Sequence, residues 1–454
     1  MKKLFFASIT IILVLALVSF SYAKPDEKWK DKLDDDLRKT VDSQNKGFSI
    51  MSAPEKSVDV IVTTSDKNLE KFGAVRKKFS IISAVSMSVP ASRLEQIARL
   101  GSVEKIEKEK IFYIQRLQAI PLIRADSAAS DFGINGTNIN ISILDTGIYN
   151  HAEFQSPNRI ILQYDFYNGD TNANDDNGHG THVAGIAAGK GGANGRGVAA
   201  NASIFAGKVC GASGTCPESA ILGGIEWSLN NSAKIISMSL GDSENGCSDA
   251  IVMAVDNATE QGVLVVISAG NTGPNSNTIS SPACAKRALA VGSVNDSSAL
   301  SGTADNATYF SSRGATNDNR TKPDLAAPGS VITSTYNNGD YADGSGTSMS
   351  APFVSGAAAL VMEQYNKTFG YFPEPERVKA ILLAAANTSG MEAEGFVKNG
   401  APYRNNYYGS GRLDVYKALQ TVNFTSNDSI TQGQQKLVYF NVTNSNASIA
   451  LVWG

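Results

Sequence analysis

Ile139-Asn140-Ile141-Ser142-Ile143-Leu144-Asp145-Thr146-Gly147-Ile148 is a short, almost unbroken apolar run that ends in a carboxylate and a glycine turn. Strands that read as apolar throughout are covered on both faces, as in parallel sheets flanked by helices. Residues 202–209, 235–240, 263–267 and 289–294 read the same way, and helical stretches separate them. This alternation predicts a doubly wound α/β domain, a mostly parallel sheet with helices on both faces. In such sheets reactive groups collect at the carboxyl ends of the strands. The polar motifs of this chain fall there.

The chain has 454 residues, more than one core usually organises, so two or three folded units are expected. Its composition, 42% apolar and 18% charged, is that of a globular protein, and a net charge of -3 gives nucleic acid no reason to bind. Lys2 and Lys3 precede an apolar run over 4–20, and Ser21-Tyr22-Ala23 offers a small-x-small cleavage site. Residues 1–23 therefore read as a signal peptide, with an uncleaved anchor as the alternative, and the protein as secreted or retained at the cell surface. Cys210, Cys216, Cys247 and Cys284 form an even set in an exported chain, which favours two disulfides; without C-x-x-C spacing or a nearby histidine, a metal site is the weaker reading.

Residues 24–52 are charged and poor in apolar side chains, which predicts an exposed leader unable to order itself alone. A compact α+β unit is expected next: a strand at 58–62, a helix at 68–79 and a strand at 81–89. A capping box, Ser92-Arg93-Leu94-Glu95, then opens a helix over 94–100, and a strand follows at 103–106. Beyond 420, alternation at 437–442 and 449–453 predicts the start of a β-domain over 421–454, or a strand pair docked on the main domain.

Three segments place a reactive side chain among small residues. Asp145 ends a buried strand, where an aspartate also serves simply to cap a turn. In Asn177-Gly178-His179-Gly180-Thr181-His182, glycines flank the first histidine, and His182 lies on the same helical face as a rival base; His151 reads as structural. Ser348, in Asp343-Gly344-Ser345-Gly346-Thr347-Ser348-Met349, opens a helix whose unpaired N–H groups face any negative charge that develops beside it. Read blandly, it is an N-cap serine. Together the segments hold what acyl transfer needs: a nucleophile, an imidazole to carry its proton and a carboxylate to hold the imidazole tautomer.

The order Asp, His, Ser with these flanks resembles the subtilisin-like (subtilase) family, over a span from about Ala119 to Leu419. The resemblance implies a secreted serine endopeptidase with Asp145, His179 rather than His182, and Ser348 as catalytic residues. It also implies that Asn271, at the end of Val265-Val266-Ile267-Ser268-Ala269-Gly270-Asn271, joins the Ser348 N–H as oxyanion hole. Ser239, Leu240 and Gly241 would form the edge on which an extended peptide lies, with Ser268, Ala269 and Gly270 beside it. The segments Phe310-Ser311-Ser312-Arg313-Gly314 and Lys322-Pro323-Asp324 match the family as scaffold. Residues 24–118 look like a propeptide, folded over about 57–115, ferredoxin-like, and acting as intramolecular inhibitor; the catalytic domain would span 119–420.

Pairing Cys210 with Cys216 and Cys247 with Cys284 follows from where the family brings these loops, although the sequence allows three connectivities. The chemistry needs no cofactor. Calcium is a candidate structural ion at Asp170, Asn172, Asn174 and Asp176, and Glu153 stands where many family members carry a calcium-ligating aspartate. Sequons at Asn135, Asn201, Asn257 and Asn306 would matter only in a glycosylating host. The expected substrates are proteins or peptides, with broad apolar preference because 239–241, 268–271 and 280–283 lack acids, and the enzyme is expected to be a monomer. An inactive binding module would not need four competent catalytic positions, and an α/β-hydrolase esterase would need a G-x-S-x-G elbow and the order Ser, Asp, His.

Overall fold

A computed structural model describes residues 28–46, 57–109, 111–114, 122–191, 196–242, 246–295, 306–388, 397–398, 401–402 and 404–424. The signal peptide and the β-domain expected over 421–454 lie outside the described residues, apart from the first four of the latter, 421–424. The chain divides into two compact units, one of residues 1–75 and 87–108 and one of 76–86 and 109–454.

The smaller unit corrects three expectations. Part of the leader is ordered: a 3-10 turn, Lys28–Lys32, and helix α1, Asp35–Lys46, bury Trp29, Leu33, Leu37 and Val41. Composition concealed this, because four well-spaced apolar residues are enough for one buried stripe. The helix expected at 68–79 is absent. After strand β1, Ser57–Thr64, the chain turns and forms β2, Ala74–Phe79, then β3, Ala84–Pro90. Gly73 explains the break, since a side chain there would meet the Ser88 carbonyl, and the alternation of Val75, Lys77 and Phe79 suits a strand. The ferredoxin-like pattern thus lacks its first helix. The second helix is shorter than expected and starts differently: a 3-10 turn at Ala91–Arg93 leads into α2, Leu94–Ala98, whose N-cap Arg93 makes no side-chain cap bond, and Glu95 pairs with Arg99. Strand β4, Val103–Lys108, pairs antiparallel with β1, in the sheet order β2-β3-β1-β4.

The larger unit is built on seven strands. They are β6, Asn140–Asp145; β7, Ile160–Asp165; β8, Ser203–Lys208; β10, Ile235–Met238; β12, Leu264–Ser268; β13, Leu289–Val294; and β14, Leu325–Pro328. Each pairs parallel with its neighbours in the order β14-β13-β12-β10-β6-β8-β7. From β6 the chain builds one side of the sheet and then returns to build the other, so the direction of winding switches beside β6, the strand that ends in Asp145. Helices α3, Ala125–Phe132, and α4, His179–Ala188, precede α5, Glu218–Asn230, and α6, Ala250–Glu260; α7, Thr347–Phe369, runs through the core with Ala351, Val354, Ala357, Ala358 and Val361 buried. Small residues let it approach the sheet closely. Among the described residues no helix is long and apolar enough to cross a membrane.

A three-stranded sheet lies apart from the main one. Its middle strand is β5, Ile111–Ile114, with β9, Thr215–Pro217, on one side and β11, Leu240–Gly241, on the other, both antiparallel. β15, Ile332–Thr335, and β16, Tyr341–Gly344, form a hairpin that leads into α7.

Candidate active site

The start of α4 is organised by side chains from outside the helix. The first N–H groups of a helix have no partner within it. Here His179 N donates to Asn177 Oδ1 at 3.2 Å, Gly180 N to Thr146 Oγ1 at 2.9 Å and Thr181 N to Asp175 Oδ2 at 2.9 Å. Asp175, buried, also accepts from Thr146 Oγ1, Asn177 N, Gly178 N and Thr181 Oγ1. One carboxylate therefore locks the end of β6 to the start of α4. Gly180 permits the contact, since a Cβ would fall 2.2 Å from the Gly147 carbonyl oxygen. The result brings His179 Nδ1 to 2.7 Å from Asp145 Oδ1, which also accepts from Thr146 N at 2.8 Å.

With Nδ1–H donated to the carboxylate, Nε2 is the acceptor nitrogen of the neutral ring. It is buried and has no hydrogen-bond partner among the described residues. His182 is engaged elsewhere: its Nε2 faces the carbonyls of Ile332 at 3.1 Å and Ala342 at 3.0 Å, joining α4 to the β15–β16 hairpin. Burial, and then the neighbouring His179, push its pKa down to about 4. His151 bonds Glu153 N and the Asp340 carbonyl, a structural role.

Ser348 is the second residue of α7 and is fully buried. Its Oγ donates to the Ser239 carbonyl at 3.3 Å, and Ser239 Oγ donates to the Ser348 carbonyl at 2.8 Å. That carbonyl is open to Ser239 because its helical partner four residues on is Pro352, which has no N–H. Asn271 Oδ1 accepts from Thr347 N and Thr347 Oγ1, both at 2.9 Å. Its Nδ2 is buried and has no partner among the described residues. Gly346 has φ 151°, and a side chain there would meet Asn271 Nδ2 at 2.9 Å.

Leu240 and Gly241 pair with Ile114 and Tyr113 of β5. Ala269 N bonds the Val291 carbonyl and Gly270 N bonds Thr347 Oγ1, so the 268–270 segment is tied to both the sheet and α7. Disulfides join Cys210 to Cys216 and Cys247 to Cys284, with Cα separations of 4.1 and 5.7 Å. Sequence reasoning missed Asp175, Thr146 and Thr347 as positioning groups; their signal was proximity to His179, Asp145 and Ser348, without a pattern to say which way they point.

Calcium is not evidenced in the loop as it stands. Asp176 Oδ1 is ion-paired with Lys208 Nζ at 2.5 Å, Asp170 Oδ1 accepts from Asn172 N at 2.7 Å, and Asn172 Oδ1 accepts from Asn174 N at 3.4 Å. Glu153 accepts from Tyr341 Oη and Gly191 N, and burial together with that carboxylate pushes the Tyr341 phenol up to about 12. Among the described residues no group of three or more His, Cys, Asp or Glu side chains is placed to hold a metal.

Residues 136–411 match the model of the subtilase family. Subtilisin DY from Bacillus licheniformis is 36% identical over 304 residues, covering 66% of this chain and 97% of the relative. The alkaline protease of Alkalihalobacillus alcalophilus is 32% identical over 359 residues, 78% of this chain and 87% of that one. Among solved structures, fervidolysin from Fervidobacterium pennivorans, a keratinolytic enzyme related to subtilisin, aligns with a TM-score of 0.63 at 23% identity. It covers 82% of this chain and 62% of its own, a likeness of fold. Sequence kinship across most of the catalytic unit, joined to a buried histidine–aspartate pair near a serine, means that the chain belongs to the subtilase family and is a serine endopeptidase.

Proposed function

We propose that this protein is a secreted zymogen in which His179 takes the proton of Ser348 and Asp145 holds the imidazole in the required tautomer. The observation that carries the reading is the 2.7 Å contact between His179 Nδ1 and Asp145 Oδ1, with Nε2 buried and unpartnered on the far side of the ring. Rotation of the Ser348 hydroxyl away from the Ser239 carbonyl would offer its proton to that nitrogen; catalytic hydrogen bonds often tighten only with substrate bound. Attack on the scissile carbonyl then forms a tetrahedral intermediate, whose oxyanion is met by Asn271 Nδ2 and the Ser348 N–H. The imidazolium returns its proton to the leaving amine, and water completes the cycle through the same base.

Strand β5 supports the zymogen reading. It lies immediately before the expected cut near residue 118 and pairs with both β9 and β11, as an extended substrate would. Residues 24–118 are accordingly a prosegment that blocks the cleft until it is cleaved. Secretion follows from the signal-peptide pattern at 1–23. The lack of an acid in 239–241, 268–271 and 280–283 supports a broad apolar preference. Intact mass of the purified product tests the scheme. The wild type should lose its prosegment, and Ser348→Ala should keep it; equal masses for the two would overturn self-processing.

A further inference from the structure

The two disulfides stand at the two short strands that flank β5, and we infer that they are positioning elements for the peptide substrate. The inference rests on reading β5 as a stand-in for substrate. β9 has three residues and β11 two, too few ladder bonds to hold either strand in place alone. Each is fixed from outside. Cys216, the middle residue of β9 and the partner of Phe112, is bridged to Cys210 six residues earlier. Cys210 N and Val209 N both donate to the Asp145 carbonyl, at 3.0 and 2.8 Å, so the bridge hangs β9 from the strand end that carries the catalytic carboxylate.

On the other side Ser239, just before β11, exchanges two hydrogen bonds with Ser348. Asp242, just after it, donates its N–H to the Ser281 carbonyl at 2.9 Å and accepts from Ser280 Oγ at 2.6 Å. Cys284 N bonds the Ser280 carbonyl at 3.0 Å, and Cys284 is bridged to Cys247 across 37 residues. β11 is thus tied to a triad residue at one end and, through Ser280, to a disulfide at the other, whereas β9 is tied through its central disulfide to the carbonyl of a triad residue. An extended peptide then meets two rails already at the correct spacing; without a bridge, it must order the loose rail as it binds. That cost falls on substrates long enough to touch the rails, and it raises KM rather than slowing the chemistry.

Mature wild type, Cys210→Ala/Cys216→Ala and Cys247→Ala/Cys284→Ala are compared on peptide anilides of increasing length and on a single-residue ester too short to reach either rail. In the wild type kcat/KM should rise with peptide length; a flat profile there overturns the reading of β5 itself, whatever the bridges do. In either double variant KM for the longest peptide should rise about tenfold, with ester kinetics changing far less. Unchanged KM at every length, or an equal loss on ester and peptide, overturns the positioning role. If a variant fails to accumulate, wild-type enzyme reduced by dithiothreitol, with thiols counted by alkylation and mass, supplies the same comparison, and an intact length dependence after reduction overturns the inference.

Discussion

Two polar atoms at the centre, His179 Nε2 and Asn271 Nδ2, are buried without a partner among the described residues, a costly state that persists where a ligand is to be met. Asn271→Leu removes one of them and leaves the fold's own bonds at Thr347 as the only loss. We expect kcat to fall about 10²–10³-fold with little change in KM, the loss known for such an amide in a subtilisin, not one deduced from this geometry; an equal rise in KM would argue against an oxyanion role. His182 controls something else. Its ring is held neutral in the folded chain down to about pH 4, by burial first and by His179 second, whereas an exposed histidine binds its proton near 6.5. Between those values the unfolded chain carries one more proton. Stability is therefore full above about 6.5 and declines as pH falls toward 4, by about 3 kcal/mol from this group. Denaturant unfolding across that range, in the Ser348→Ala background to prevent self-digestion, should show a steeper acid loss for the parent than for His182→Gln. Identical slopes would show that the ring is not what senses acid.

At the scale of elements, the parallel sheet needs its ends secured where strands leave it. Asp324, one residue before β14, accepts from Lys322 at 2.6 Å, Arg404 at 2.6 Å, Lys379 at 3.2 Å and the Ala290 N–H at 2.9 Å. Burial alone would raise its pKa, but these cations hold it well below the usual carboxylate range. Asp324→Asn leaves buried ammonium groups uncompensated and should cost about 3–5 kcal/mol, read as a shifted urea midpoint with unchanged slope. A shift under 1 kcal/mol would mean that the cations find other partners. Five strands of this sheet, β6, β8, β10, β12 and β13, were legible because each is apolar along its length, a local property; β7, an edge strand with Ile161 and Leu162 exposed, and the four-residue β14 were not. The segment at 68–79 was not, because Val75, Lys77 and Phe79 alternate over too short a stretch to outweigh a helical composition, and only Gly73 packed against Ser88 decides the matter. The start of the next helix was harder to place, because the chain is already turning at Ala91, ahead of Ser92 and Glu95.

At the scale of the molecule, the smaller unit buries apolar side chains of its own, among them Leu33, Leu37, Val60, Val62, Leu94, Ile97 and Ile106. Leu37→Ala should cost it about 2–5 kcal/mol. Amide exchange should then speed up in 28–46 and 57–75 while the strands of the seven-stranded sheet stay protected; matching losses in both would mean that the two units unfold as one. What the sequence by itself determined was the chemistry and its support. The buried strands, the strand-end aspartate, the glycine-flanked histidine and the serine before a small-residue helix were all readable, because each depends on neighbours within a few residues. The residue pattern left His179 and His182 as rivals until the family resemblance favoured the first; tertiary structure alone decided that Asp175 serves as a hydrogen-bond hub and that Asp176 is paired with Lys208. It also settled which cysteines join. Those outcomes depend on groups far apart in the chain, and the free energy of a carboxylate or a thiol is set by what stands within a few ångströms in space, which spacing along a sequence does not encode.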